Sequence, residues 1–312
     1  MTSELTHRCW KALLLLTRAV EAHAGPVDFC SVQIGKEQEV KINDVFPPSG
    51  NTPTVGIYFK SKPPAQLQGD TVFRITRFIE VTQLNGDGLP QEEIRLMATY
   101  LPYCFLPVYA RRWNRAVAVS HFAQSLDGRI ATGSGDSKWI GNEDNRTHAH
   151  RMRAICRGVL IGSRTLKRDK PALTVRRVEG PQPRPILLGS TVKETNYLPR
   201  NGGPPPLILA PENGPLSPMN VLKSVYDEGI SSVYIEGGSA TTSRFLKEDA
   251  IDIVQVHISP MILGSGVPSF SLPPVQTIRE ARRFRAFRYE WVGDGVMFVG
   301  VPASPGRRFA GA

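Results

Sequence analysis

Residues Val117 to Arg176 read VAVSHFAQSLDGRIATGSGDSKWIGNEDNRTHAHRMRAICRGVLIGSRTLKRDKPALTVR. The segment opens on an apolar run, Ala116 to Phe122, of the length of a buried strand. A Gly/Ser-rich loop follows at Gly133 to Gly135, then the triplet Ser137-Lys138-Trp139. Asn142 can cap a helix that runs to about Cys156. Glu143 and Asp144 stand in its first turn and Arg151 and Arg153 near its end, the polarity that a helix dipole favours. A second apolar run, Gly158 to Gly162, predicts another strand. Strand, helix, strand is the building unit of an α/β sheet. Its polar loops suit a phosphorylated, ring-bearing ligand beside a nucleotide.

The same texture continues downstream. Pro185 to Leu188, Pro206 to Leu209, Ser232 to Ile235 and Ile251 to Ile258 read as strands. Met219 to Glu228, ended by Gly229, and Ser239 to Lys247 read as helices. Tyr289 to Trp291 and Val296 to Val299 read as a closing hairpin across Gly293-Asp294-Gly295. The Pro/Gly stretch from Pro199 to Pro206 reads as a loop. The fold class expected is α/β: a mixed, mostly parallel sheet with helices on both faces.

Upstream the pattern differs. Residues 1 to about 25 carry helical signals, with Trp10, Leu13, Leu14 and Thr17 on one face. From Val27 to Pro107 short β-rich runs, such as Val55 to Phe59 and Thr71 to Val81, alternate with Pro/Gly/Asn/Asp turns. Arg111, Arg112 and Arg115 around Trp113 mark a junction. The expected division is a smaller α+β region over 1–110, a second domain over 115–303, and a flexible tail over 304–312.

Composition sets limits. The chain has 312 residues and 41% hydrophobic residues, enough for two ordinary cores. A formal charge of +10 points to anionic partners such as nucleotides, sugar phosphates or nucleic acid. Four cysteines, Cys9, Cys30, Cys104 and Cys156, form no CxxC pair and suggest a reducing, cytoplasmic setting. The early apolar run from Ala12 to Leu16 is too short to span a membrane. His148 and His150 are two apart and so face different sides of a helix, which does not suit one metal. The chain has no HxE followed by PCxxC, so a zinc deaminase is not encoded. It also has no Walker A, GxSxG or GxGxxG motif.

Among residues that could carry chemistry, Glu236-Gly237-Gly238-Ser239-Ala240-Thr241-Thr242 stands out. A β-run stops at two glycines and a helix starts, which favours close approach of a ligand and phosphate at the new N-terminus. Glu236 would lie at the C-terminal edge of a strand, where open α/β sheets bind ligands. A purely structural turn fits the same residues. Trp139 could stack on a ring and Lys138 could bind or protonate an oxygen; a buried Trp with a surface Lys is the alternative. Arg153 and Arg176 could clamp one phosphate. Asp169 could hydrogen-bond a ribose. Arg279, Arg282, Arg283, Arg285 and Arg288, interleaved with Phe284 and Phe287, could hold single-stranded nucleic acid, or form one basic face of a strand.

Five segments together resemble the reductase domain of the riboflavin-pathway pyrimidine deaminase/reductase family. They are SLDGRIA (Ser125 to Ala131), SKWIG (Ser137 to Gly141), IGSRTLKRDKPALTVR (Ile161 to Arg176), YIEGGSATTSRFL (Tyr234 to Leu246) and SPMILG (Ser259 to Gly264) with Gly266. The resemblance covers about Arg115 to Val301. It implies a dihydrofolate-reductase-like fold, a homodimer, and NADPH-dependent conversion of a ribosyl to a ribityl chain on a phosphoribosylamino-pyrimidine. Ser137, Arg153, Leu173, Arg176 and Glu236 would hold the substrate. Ala123, Trp139, Thr165, Asp169 and the turn Gly238, Ser239, Ala240, Thr241 and Thr242 would hold NADPH. Lys138 and Glu236 are the candidates for the proton donor. Two positions depart from the family pattern: Gly141 replaces a Thr or Ser, and Arg168 and Lys170 flank Asp169 where an acidic neighbour is usual. The first 110 residues do not resemble the zinc deaminase that precedes this domain in bacterial fusions. A same-fold reductase acting on another substrate is therefore a second expectation.

Overall fold

The structure, a computed structural model, describes residues 3–46, 52–59, 70–76, 78–85, 88–189, 203–210 and 216–303. The chain forms two compact units, divided between Arg112 and Trp113. The expected tail over 304–312 and the first half of the Pro199 to Pro206 loop lie outside the described residues.

The N-terminal unit begins with α1 (Glu4–Ala22), capped by Ser3, whose hydroxyl accepts the Thr6 N–H. Trp10, Leu13, Leu14 and Thr17 are buried, as the periodicity predicts. Then come β1 (Phe29–Ile34), β2 (Gln38–Ile42), β3 (Thr54–Tyr58), β4 (Thr71–Thr76) and β5 (Glu80–Asn85), followed by α2 (Gln91–Cys104) and α3 (Leu106–Trp113). The sheet order is β2-β1-β3-β4-β5, antiparallel throughout except for the β3–β4 pair. Glu93 of α2 is buried and accepts hydrogen bonds from Ser3 Oγ at 2.9 Å and Thr6 Oγ1 at 2.7 Å, which ties α2 to the start of α1.

Two sequence expectations need correction here. The single run from Thr71 to Val81 is two strands, reversed at a turn where Phe78 adopts a φ of 76°. The stretch from Gln91 to Trp113, read as β-rich as far as Pro107, is helical. Ile94, Met97, Tyr100, Leu101 and Cys104 are buried at helical spacing while Gln91, Glu92 and Arg95 stay exposed, so an amphipathic pattern is present and the two prolines mask it. Pro102 and Pro107 read as breakers, although Pro107 sits in the first turn of α3, where the lost N–H costs least, and after Pro102 only Tyr103 and Cys104 remain in α2.

The second unit contains β6 (Val117–Ser125), β7 (Arg129–Thr132), α4 (Glu143–Ile155), β8 (Gly158–Gly162), α5 (Ser163–Asp169), β9 (Arg184–Leu188) and β10 (Leu207–Leu209). It continues with α6 (Pro218–Asp227), β11 (Ser232–Ile235), α7 (Ser239–Lys247), β12 (Ile253–Ser259), β13 (Gly266–Pro268), β14 (Phe284–Val292) and β15 (Gly295–Pro302). Its main sheet has eight strands in the order β10-β9-β8-β11-β6-β12-β15-β14. All pairs from β10 to β12 are parallel; β15 and β14 add an antiparallel edge. The expected mixed, mostly parallel sheet is therefore present.

Successive strand residues point to opposite faces, and the two faces differ. Ala118, Phe122, Val254 and Val256 join an apolar core with Val221, Leu222 and Val225 of α6 and Phe245 and Leu246 of α7. The alternate residues His121 and Gln255 meet α4: His121 Nε2 lies 2.9 Å from Asn145 Oδ1, and His148 Nε2 lies 3.1 Å from Gln255 Oε1. Helices thus cover both faces. Arg115 pins the entry to β6 through a two-pronged pair with buried Asp252, at 2.7 and 2.9 Å. The closing hairpin turns at Gly293-Asp294, with Gly293 at a φ of 62°. Its strands are longer than expected. They absorb Arg285 and Arg288, and Arg288 pairs with Glu290.

Candidate active site at the C-terminal strand edge

The central strand β6 lies between β11 and β12. Segments leaving the C-terminal ends of β6, β8, β11 and β12 carry the residues singled out by sequence, the region where ligands lie in open α/β sheets.

One constellation joins α4, the segment after α5 and the end of β11. Arg153 donates from Nε and Nη2 to the two oxygens of Glu236, each at 2.6 Å. Its Nη1 donates to the Thr174 carbonyl at 2.9 Å. Arg176 Nη1 reaches Thr174 Oγ1 at 3.3 Å, and the Arg176 backbone N–H donates to His150 Nδ1 at 3.1 Å. Arg153, Arg176 and Glu236 therefore come together, as expected. Leu173 is buried beside them with a φ of 55°, a conformation unusual for a side chain of its size. Burial first, and then Arg153, Arg176 and Arg177, push the His150 imidazole down to about 3. Burial and the neighbouring Arg153 and Arg177 likewise lower the Arg176 guanidinium. Burial leads both shifts, and the neighbouring guanidinium charges act in the same direction.

A second constellation is a backbone cradle. Gly162, at the end of β8, and Gly237, after β11, face Thr241 of α7. A Cβ on Gly237 would lie 2.7 Å from Thr241 Cβ, and one on Gly162 would lie 2.5 Å from Thr241 Oγ1. The Gly238 N–H donates to Thr165 Oγ1 at 3.3 Å, so the starts of α5 and α7 are held side by side. Gly238 caps α7 without a side chain, and Ser239 Oγ is buried with no hydrogen-bond partner among the described residues. Two helix N-termini with glycine at their mouths suit a phosphate chain. The glycine-to-threonine packing also has a structural role, so both readings of this turn hold at once.

The triplet Ser137-Lys138-Trp139 lies on the loop after β7. The Lys138–Trp139 peptide bond is cis. Ser259 Oγ donates to the Ile140 carbonyl, which fixes the loop to the end of β12. Trp139 is 63% exposed, so the buried-Trp alternative is overturned. Its ring packs under the Arg146 guanidinium, 4.4 Å from the ring centroid. Lys138 is exposed, with its backbone N–H on Asp136 Oδ1 at 3.2 Å. Ala123 lies on β6 opposite His257. Asp169 is engaged by its neighbour Arg168 at 2.7 Å rather than standing free for a ribose. Gly141 has a local cause: a Cβ there would lie 2.3 Å from Asn145 Nδ2, and Asn145 is the partner of His121.

Sequence reasoning missed His150, Thr174 and Gly162. His150 stands three residues before Arg153 and so on the same helical face, a spacing that could have flagged it. Thr174 acts partly through its carbonyl and carries no such signal. The remaining pieces meet as well: Asp127 accepts N–H bonds from Leu263 at 3.1 Å and Gly264 at 2.8 Å, which brings SLDGRIA against SPMILG. Among the described residues, no group of three or more His, Cys, Asp or Glu could hold a metal ion.

Known proteins match this chain in a consistent way. A riboflavin biosynthesis protein RibD from Mycobacterium tuberculosis is 31% identical over 185 residues, covering 56% of this chain and 51% of the relative. The chain thus spans about half the length of that curated relative. A 2,5-diamino-6-ribosylamino-4(3H)-pyrimidinone 5′-phosphate reductase from Methanothermobacter thermautotrophicus is 29% identical, covering 48% of this chain and 80% of the relative. The crystal structure of a diaminohydroxyphosphoribosylaminopyrimidine deaminase/5-amino-6-(5-phosphoribosylamino)uracil reductase from Thermotoga maritima superimposes with a TM-score of 0.61 at 20% identity, covering 96% of this chain and 99% of that chain. The family model described as RibD C-terminal domain matches residues 117–298, the whole stretch that carries both constellations, and the chain belongs to that family.

Proposed function

We propose that residues 115–303 form an NADPH-dependent reductase domain that converts the ribosyl group of a 5-phosphoribosylamino-pyrimidine to a ribityl chain. The observation that carries this reading is the pairing of a cationic cluster with a glycine-lined double helix N-terminus at one strand edge. Arg176 and Arg153 offer a phosphate its counter-charge, Arg153 is fixed in place by Glu236 and Thr174, and the neutral His150 ring holds the Arg176 backbone. Ser137 and Leu173 would border the sugar and ring. Gly238, Ser239, Ala240, Thr241 and Thr242, with Thr165, would hold the cofactor's pyrophosphate, and the orphaned Ser239 hydroxyl fits a phosphate oxygen. Trp139, Ala123 and Asp169 complete the cofactor contacts; Asp169 would exchange Arg168 for a ribose hydroxyl.

The bound nicotinamide supplies a hydride to C1′ of the ribosyl group. The chain's own residues supply the rest. The C1′–O4′ bond breaks, and the departing oxygen takes a proton from Lys138. Glu236, with both oxygens on Arg153, serves as the anchor of that arginine. The arginine clamp sets the distance between C1′ and the hydride source.

A homodimer fits the edge strand β14, where Phe287, Tyr289 and Trp291 present an exposed aromatic stripe at alternate positions. Of the five arginines that suggested single-strand binding, Arg282 pairs with Asp249 and Arg288 with Glu290. Four free, buried cysteines suit a reducing, cytoplasmic setting. Among the described residues no helix is long and apolar enough to cross a membrane. Titrating the purified chain with NADPH, then adding the pyrimidine ribosyl phosphate, tests the reading. Binding followed by substrate-dependent NADPH loss is expected; absence of NADPH binding rejects it. Binding without turnover of either the amino- or the oxo-pyrimidine points to the same fold with another substrate.

A further inference from the structure

The N-terminal unit has its own message. The reductase relative accounts for 48% of this chain, whereas the deaminase/reductase structure covers 96% of it and 99% of itself. Superposition over both lengths lays the N-terminal unit on the part of that chain that a reductase alone does not need. The likeness is one of fold alone, and in this chain the unit is a five-stranded sheet, β2-β1-β3-β4-β5, with helices before and after it. The family model matches residues 117–298 and does not extend into this unit.

Pyrimidine deamination by zinc enzymes needs three His or Cys ligands and a nearby glutamate that moves the proton. The donor set here does not fit. Between β2 and β3 (43–53) and between β3 and β4 (59–70) the sequence contains neither histidine nor cysteine. The unit's three cysteines lie elsewhere, on α1, β1 and α2, and all are buried. Burial, ahead of every other influence, pushes each of the three thiols up to about 12, whereas a zinc ligand must be a thiolate. The Cys104 thiol donates to backbone carbonyls of Leu13 and Tyr100 at 3.5 and 3.6 Å. The one buried carboxylate described in this unit, Glu93, is occupied by Ser3 and Thr6.

We infer that the N-terminal unit keeps the sheet of a pyrimidine-deaminase half without its metal centre, so these 312 residues carry the reductive step alone. The companion reaction is hydrolytic: water adds to a ring carbon, the exocyclic C–N bond breaks, a C=O forms and ammonia leaves, with no change of oxidation state. That reaction must be supplied by a metal centre outside this chain, acting before or after the reduction. The inference rests on the proposed reductase function for its substrate and on the N-terminal donor set for its content.

The test uses the full chain produced in zinc-supplemented medium. Metal content is measured by mass spectrometry. Ammonia release and NADPH oxidation are followed separately on the diamino-pyrimidine ribosyl phosphate, with and without added zinc. Zinc far below one per chain and ammonia at background support the inference, whether or not NADPH is consumed. NADPH consumption with no ammonia supports both this inference and the reductase reading. One zinc per chain with chelator-sensitive ammonia release overturns the inference and leaves the reductase reading intact.

Discussion

Each unit of this molecule withdraws a glutamate from most of its solvent, Glu93 fully and Glu236 largely, and the two are satisfied in opposite ways. Glu93 in the N-terminal unit accepts two neutral hydroxyls from the first turn of α1. Burial raises its carboxyl, but the bonds from Thr6 and Ser3 outweigh that and hold it below the usual range. Glu236 in the second unit lies at the end of a parallel strand, and both its oxygens go to one guanidinium. The first carboxylate is a stitch between helices. The second fixes a cation at the edge where substrates bind. Burial alone did not separate them; the partner's charge and the strand edge did.

The largest expected effect tests that contrast. Arg153→Met leaves Glu236 with no counter-ion and should cost about 3–5 kcal/mol. Adding Glu236→Leu to the same chain should recover part of the loss. Urea denaturation of the two variants reads both numbers. Equal losses would mean that the pair is not a buried unit.

Next comes acid sensitivity. Burial first holds His121 to about 3, His148 to about 4 and His150 to about 3. In the unfolded chain these groups protonate near pH ~6.5. Their folded pKa values are lowered, so the contribution they protect is whole above that pH and is lost as the pH falls through the window from ~6.5 towards the folded values. Glu93 has a lowered pKa as well, and its contribution is lost only below the usual glutamate range. Amide exchange at pH 7.5 and pH 5 should therefore show β6 and β12 losing protection before β1 and β3. The reverse order would break the comparison.

Arg176→Ala should leave the melting temperature nearly unchanged and raise KM for the phosphorylated substrate on the order of 10–100-fold, the value of one or two charged hydrogen bonds. A substrate lacking the phosphate should be insensitive to the change. Smallest is Glu93→Gln, expected to cost about 1–2 kcal/mol without altering NADPH affinity, because its partners are hydroxyls at the start of α1 in its own unit. A change in cofactor affinity would assign Glu93 a role that its surroundings do not support.

The second unit was legible because its chemistry follows its strand ends. The helix cap at Asn142 and the Gly237-Gly238 turn could be read from local signals, whereas the meeting of Arg153 and Arg176 followed from the family resemblance. Contacts through carbonyls, such as that of Thr174, and the Arg168–Asp169 pair leave no such trace. In the N-terminal unit, α2 stayed hidden because Pro102 and Pro107 read as breakers, although its buried residues keep helical spacing. That unit's likeness to a deaminase half was invisible in sequence for a related reason: a sheet can persist through hydrophobic pattern while the metal ligands that identify it are gone.

The central claim is that the strand edge holding Arg153, Arg176 and the glycine cradle performs the reduction. Mixing the protein, NADPH and the pyrimidine ribosyl phosphate under single-turnover conditions, with mass analysis of the product, tests it most directly. The account predicts one NADPH oxidised per pyrimidine that gains two hydrogens in its sugar chain, with the signal lost in Arg176→Ala at low substrate. NADPH that neither binds nor is consumed, with a folded protein and both pyrimidine forms supplied, would contradict it.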